Sequence, residues 1–300
     1  MTANLGASVL ARLLNLAKQR GDDYNLLLNR FALERLLCRL AASAHADRFL
    51  LKGALLFSLW YDQPHRPTRD ADLLGFGPDD AETLIATFRD IAAIELDDGI
   101  AFDAQSVRAD VIREDNRYGG LRVRLTSRIG NARCALQIDV GFGDAVTPEP
   151  QTVVFPVLLD DFAAPTLKVY PVYAVIAEKY HAMAVLGLAN TRMKDFFDIA
   201  VIAQRTDLDG STLARAIAAT FTRRGTVLPN EPPVALTHSF AHDAAKQLQW
   251  QAFLNKGRLA ASTLPETVRL LYTLLWPATQ VAACGSNAAA EWKAPERQWS

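Results

Sequence analysis

Thr68-Arg69-Asp70-Ala71-Asp72-Leu73-Leu74-Gly75 decides the architecture of this chain. It is short, runs into apolar residues and stops at glycine, as a strand does. Asp70 and Asp72 are one residue apart, so on a strand both carboxylates face the same side of the sheet. Just before it, the two prolines of Gln63-Pro64-His65-Arg66-Pro67 mark a turn. Earlier still, Phe49-Leu50-Leu51-Lys52-Gly53 reads as extended and residues 54–61 as a buried helix. After it, residues 78–94 open with Pro78 and early acids, which suits a helix N-terminus and its dipole.

Further out, apolar residues recur at helical spacing over 9–17 and 23–44. Residues 106–112, 120–125 and 132–142 are alternating or β-branched runs, broken by the turn signals Tyr118-Gly119-Gly120 and Gly130-Asn131. They predict an antiparallel meander. Beyond Pro171 the chain reads as helical, over 172–186, 192–204, 212–223, 240–255 and 265–275. The expected class is α+β: a mixed sheet with flanking helices over 1–165, then a helical domain over 166–283. Residues 284–300 are small and polar with two tryptophans and no clear period, and are expected to form a flexible or partner-contacting tail.

Three hundred residues, half of them hydrophobic and 22% charged, can bury a substantial core. A net charge of -1 offers no global attraction to nucleic acid, so any polyanion must be held by a local basic patch. Cys38, Cys134 and Cys284 are far apart, with no zinc spacing and no disulfide framework, which fits a reducing cytoplasm. The N-terminus lacks a signal-peptide pattern, no apolar run of roughly 20 residues is evident, and no membrane partner is expected. Neither a Walker A motif nor a dinucleotide-binding glycine fingerprint is present, which argues against P-loop and Rossmann enzymes.

The chemistry resides in two blocks. In the first, Asp70, Asp72 and Asp139, the last within Leu136-Gln137-Ile138-Asp139-Val140-Gly141, form a candidate metal-ligand set. Hard cations such as Mg2+ take carboxylate oxygens and complete their shell with substrate phosphates. Two such ions can hold an attacking hydroxyl and stabilise a leaving pyrophosphate. Lys52, Arg66 and Arg69 lie nearby in sequence, a mixture of signs that suits a nucleoside triphosphate. The plainer alternative is that these are ordinary acids at strand ends.

The second block is Ile176-Ala177-Glu178-Lys179-Tyr180-His181-Ala182 followed by Thr191-Arg192-Met193-Lys194-Asp195-Phe196-Phe197-Asp198-Ile199. Charges interrupt two otherwise apolar helices, which is costly unless they serve a site. Lys179 can meet a triphosphate as a point charge, Arg192 or Lys194 can hold its other oxygens, and Asp195 and Asp198 share a helical face that can orient them. Alternatively, Lys194 pairs with Asp198 at i,i+4 while Glu178 and Lys179 are solvated. His181 reads as a packed or solvent-facing histidine, and His65 as the better candidate for substrate contact.

The order of these blocks resembles the AbiEii nucleotidyltransferase family. The resemblance runs through the stretch from Phe31 to Leu40, then Arg48-Phe49-Leu50-Leu51-Lys52-Gly53, the Asp70–Asp72 motif, and the two blocks around Lys179 and Asp198. It implies a polymerase-β-like core with a helical C-terminal domain, acting as the toxin of a type IV toxin–antitoxin pair. It further implies that Asp70 and Asp72 bind metal, that Lys179 contacts the triphosphate and that Asp198 completes the site, with Arg192, Lys194 and Asp195 in the same signature. Asp139 lies where such a fold places a third carboxylate. Related transferases carry Gly-Gly or Gly-Ser where this chain has Gly53-Ala54, so a phosphate-holding hydroxyl is missing; backbone amides and Thr68 remain to serve.

What the resemblance implies is transfer of a nucleoside monophosphate from an NTP, with Mg2+ and two ions, to the 3′ end of tRNA, which blocks translation; an antitoxin protein is the further partner. Arg205, Arg215, Arg223, Arg224, Lys246, Lys256 and Arg258 are the candidate basic surface for RNA, with solvated helix faces as the plainer alternative. Nucleotidylation of a protein hydroxyl and a catalytically silent nucleotide- or partner-binding module stay open as alternatives.

Overall fold

The computed structural model describes residues 2–61, 66–112, 120–285 and 290–300. His65 and most of the turns expected around Pro64 and Tyr118 lie outside the described residues. The chain divides into two compact units, Met1–Gly143 with Gln151–Val169, and Asp144–Pro150 with Tyr170–Ser300.

The first unit is α+β. Helices α1 (Thr2–Arg20) and α2 (Tyr24–Ala42) lead into β1 (Phe49–Lys52), a 3-10 turn at Gly53–Leu56, the short α3 (Phe57–Trp60), β2 (Asp70–Gly75) and α4 (Ala81–Ala93). Then follow β3 (Ile100–Ile112), β4 (Gly120–Ile129), β5 (Ala132–Phe142), β6 (Gln151–Val154) and β7 (Thr166–Val169). The seven strands form one mixed sheet in the order β3-β4-β5-β2-β1-β7-β6, with β2 parallel to β5 and β1 parallel to β7. The expected meander is β3-β4-β5; β5 has the expected bounds, while β3 and β4 are longer than the alternation marked.

The two faces of this sheet are unlike. On β4, Leu121, Val123, Leu125 and Ile129 are buried, while Arg124 and Arg128 are exposed. Period-2 alternation therefore sends one face into the core under α1, α2 and α4 and leaves the other polar. Helix α2 is capped by Asp23, whose carboxylate accepts from the Leu26 amide at 2.8 Å, and it is buried almost all round. Its buried ions are matched. Arg39 donates to both oxygens of Asp98, at 2.7 and 3.0 Å, and to the carbonyls of Ile94 and Ile100. Glu34 accepts from Arg35 and from the Leu158 amide, both at 2.7 Å. Burial raises the Glu34 carboxyl above its ordinary range, and these bonds pull it back down.

The second unit is helical: α5 (Val172–Leu186), α6 (Met193–Arg205), β8 (Leu208–Asp209), α7 (Gly210–Arg223), α8 (His238–His242), α9 (Ala244–Gly257) and α10 (Leu264–Cys284), then β9 (Glu291–Lys293) and β10 (Gln298–Trp299). The single helix expected over 240–255 is two, because Asp243 leaves helical geometry and caps α9 through the Lys246 amide. The run Val172–Ala189 has a mean hydropathy of 1.2 and matches a membrane span in length and composition, which the sequence reading did not credit; 44% of it is buried inside the fold.

Residues 291–300 are not a loose tail. They form a three-stranded sheet with β8, and Trp292 is fully buried. The reason is backbone chemistry at two helices. Trp292 Nε1 donates at 2.7 Å to the Ala203 carbonyl, in the last turn of α6 where carbonyls lack helical partners. Pro277 sits inside α10 and has no N–H to give the Thr273 carbonyl four residues back, and Trp299 Nε1 takes that carbonyl at 3.0 Å. α10 thus continues through a proline at which a sequence reading stops.

Trp292→Ala should destabilise the second unit by about 3–5 kcal/mol through the cavity it leaves. Trp299→Phe, which removes one hydrogen bond, should cost about 1 kcal/mol. Urea unfolding followed by far-UV circular dichroism measures both, and a Trp292→Ala protein that unfolds like the parent would refute the docking described here.

Candidate active site

β2 is set between β5 and β1, and this places its aspartates. The parallel register puts Asp72 directly across from Asp139 and Asp70 across from Gln137. On the other side, Lys52 at the end of β1 stands across from Asp72. Asp70 and Asp72 are half-buried on the polar face, while Ala71 and Leu73 are buried on the other. Thr68 donates its hydroxyl to the Asp70 carbonyl at 3.3 Å, and Arg69 is exposed.

Gly53 is required by the Asp72 carboxylate. Its φ is +76°, a left-handed conformation, and a Cβ there would fall 2.7 Å from Asp72 Cγ and closer still to Oδ2. The carboxylate therefore rests on bare backbone where the chain leaves β1, in a cradle that any side chain would fill. That is the sequence motif Lys52-Gly53 in physical terms.

Arg122, on β4, is a site residue that the sequence reading did not single out. Its Nε donates to Asp139 Oδ1 at 2.8 Å and its second nitrogen to Oδ2 at 2.7 Å, a two-pronged grip. The hydrogen bonds to Asp139 hold the guanidinium firmly charged against partial burial, and the fields of Asp70 and Asp72 add to them. One cation thus feels all three carboxylates. The alternation Arg122-Val123-Arg124-Leu125 carried the signal, since it puts two arginines on the polar face.

The donor set of Asp70 and Asp72, all hard oxygens in a half-buried cradle, fits a divalent cation such as Mg2+. Asp139 is adjacent but turned to Arg122, and among the described residues no group of three His, Cys, Asp or Glu side chains is disposed around one point.

The second block lies wholly in the second unit. Lys179 on α5 donates to Asp195 Oδ1 at 2.7 Å and lies 2.8 Å from Asp198 Oδ2, both on α6. Asp198 is fully buried and Asp195 nearly so. Spacing of three puts both acids on the face of α6 that meets α5, so Asp198 takes its cation from the neighbouring helix, and Lys194 is exposed. Lys179 is accordingly not a solvated lysine. Arg192, half-buried, precedes α6, and its amide is taken by Asn190 Oδ1 at 2.8 Å.

A second polar cluster flanks this one. His181 is buried edge-on against Phe221, with Nε2 2.9 Å from the Thr226 hydroxyl and Nδ1 3.3 Å from Arg224. Burial, then the nearby Arg224 charge, pushes the imidazole down to about 4. Arg224 donates to Asp144 at 3.0 Å and lies 3.7 Å from Glu178. Lys246 is buried too, donating to the Asn190 carbonyl at 3.0 Å. These two members of the expected basic surface are internal struts, whereas Arg205, Arg215, Arg223, Lys256 and Arg258 are exposed.

A mixed sheet bearing paired aspartates on its polar face, followed by a helical unit, is the arrangement of a nucleotidyltransferase. The family model for the nucleotidyl transferase AbiEii toxin of Type IV TA systems matches residues 35–274, which takes in both clusters, and the chain belongs to that family. Among solved structures, JHP933 from Helicobacter pylori is similar at 16% identity and a TM-score of 0.46, covering 86% of this chain and 92% of its own. A candidate nucleotidyltransferase from H. pylori is similar at 15% identity and a TM-score of 0.46, covering 87% and 98%. No curated protein matches the chain.

Three outcomes follow from this geometry. Gly53→Ala should disrupt the Asp72 carboxylate and abolish transferase activity, whereas retained activity would show that the cradle is dispensable. Lys179→Met takes a cation from two buried carboxylates and should cost about 3–5 kcal/mol in denaturant unfolding. For His181, folding lowers the imidazole from 6.5 to about 4, so the unfolded chain binds more protons between those values. Its contribution to stability is complete above pH 6.5 and is lost as the pH falls toward 4. His181→Gln should flatten that part of the stability profile, and an unchanged profile would place the acid sensitivity elsewhere.

Proposed function

We propose that this chain transfers a nucleoside monophosphate from a nucleoside triphosphate to the 3′ hydroxyl of tRNA, blocking translation. The acceptor oxygen bonds to the α-phosphorus, the bond to the β-phosphate bridging oxygen breaks, pyrophosphate leaves, and the hydroxyl proton passes to solvent. The observation that carries the reading is the pair Asp70 and Asp72 on one face of β2, with the Asp72 carboxylate against Gly53 and Asp139 directly across from Asp72 on the adjacent strand. Asp70 and Asp72 would hold the metal, Mg2+ as two ions, with Asp139, gripped by Arg122, as the third carboxylate beside them. Bound Mg2+ supplies charge neutralisation at the triphosphate and lowers the cost of ionising the attacking hydroxyl.

Lys52, Thr68 and Arg69 are placed in sequence to meet phosphate oxygens, together with the amides at Gly53. Lys179, Asp198, Arg192, Lys194 and Asp195 belong to the nucleotide-handling set by family resemblance, Lys179 as the triphosphate contact. That role and the ion pairs of Lys179 are compatible if the two acids hold the ammonium charged and in place. The protein acts in the cytoplasm, where tRNA is found, and a cognate antitoxin counteracts it.

Incubating the protein with Mg2+, total tRNA and each labelled nucleoside triphosphate should put label on tRNA. Periodate oxidation of the terminal ribose should prevent it. Asp70→Asn and Asp72→Asn should each lower incorporation at least about 100-fold, as loss of metal assistance of several kcal/mol requires. Label that appears on protein instead would replace tRNA by a protein acceptor.

A further inference from the structure

We infer that the sugar-phosphate backbone of the RNA acceptor lies along the open face of β4 and β5, held by Arg128 and Arg133. This rests on the acceptor reading above. The same polar face that carries the aspartates continues away from them along β5. From Asp139 through Gln137 and Ala135 to Arg133 it runs six residues, about 20 Å at the rise of a strand. Beside them on β4 stand Arg122, Arg124, Thr126 and Arg128, each directly across from its β5 partner. The run is long enough to lie beside several phosphates of one strand.

The pattern of charge is what points to a polyanion. Arg128 stands directly across from Arg133 on one side and from Ala101 on the other. Arg108 on β3 stands directly across from Arg124. Like charges in directly opposed positions disfavour the sheet that carries them. Arginines serving only solubility would alternate with acids, as Arg122 does with Asp139 and Arg124 with Asp110. At Arg128 and Arg133 no acid stands across, and both are exposed. A chain of net charge -1 draws nucleic acid only through such a local concentration. The helical unit supplies less than its sequence promised, since Arg224 and Lys246 are committed internally.

Fluorescence anisotropy with labelled total tRNA, across a potassium chloride series, tests the inference on wild type, Arg128→Gln/Arg133→Gln and Arg128→Lys/Arg133→Lys. The glutamine pair should weaken binding at least about tenfold and reduce the slope of log affinity against log salt by about two, one per lost cation. The lysine pair should keep the slope. Mg2+-nucleotide binding should be unchanged in both, and the glutamine pair should melt no lower than wild type because a like-charge contact is removed. Wild-type affinity and slope in the glutamine pair would overturn the inference while leaving the acceptor reading standing. A glutamine pair that melts lower and loses nucleotide binding also overturns it, by showing a structural role. If wild type binds no tRNA and labels protein, the acceptor reading fails and the RNA path with it.

Discussion

The parallel pairing of β2 with β5 is the constraint on which the first unit depends. In a parallel ladder the register fixes which residues stand side by side, and a shift of one residue would send every side chain of β2 to the opposite face. Asp70 and Asp72 would then enter the core beneath α2 and α4, while Ala71 and Leu73 would meet water. The buried side of the strand therefore enforces the position of the acids on its open side. The hydrophobic effect thus positions the carboxylates, and bare backbone at Gly53 leaves room for one of them.

Charge is managed differently in the two units. On the sheet, carboxylates and arginines share a half-exposed surface, where water and a counterion moderate each pair and partners can be exchanged. In the helical unit, Lys179 with Asp195 and Asp198, and Arg224 with Asp144 and Glu178, are largely withdrawn from water. There a missing partner leaves an unmatched charge in a medium of low polarity. The first arrangement suits binding and release of ions and phosphates; the second suits holding a cation rigidly.

Much of this was legible in the sequence, and what escaped it shares a physical cause. The D-x-D strand, the meander and the bounds of α5 follow from local periodicity and turn residues, which a linear reading contains. The strand bearing Arg122 was seen but its partner was not, because cross-strand neighbours depend on register. The ion-pair partners of Lys179, Asp195 and Asp198, sit on the next helix, and which helix faces meet is not written in local periodicity. The tryptophans past residue 284 gave no period because their task is to satisfy two carbonyls, one at the end of α6 and one orphaned by Pro277, far away along the chain. Arg224 and Lys246 look like surface cations until their burial is known.

The connectivity of the two units has a consequence for how such a protein can change. Residues Asp144–Pro150 belong with the helices, yet they are strung between β5 and β6 of the sheet, and through Asp144 they hold Arg224. The chain passes from one unit to the other three times. No single crossover between two related genes can exchange one unit for another's without breaking both. Replacing a whole unit takes several concerted exchanges, whereas a substitution on an exposed face takes one.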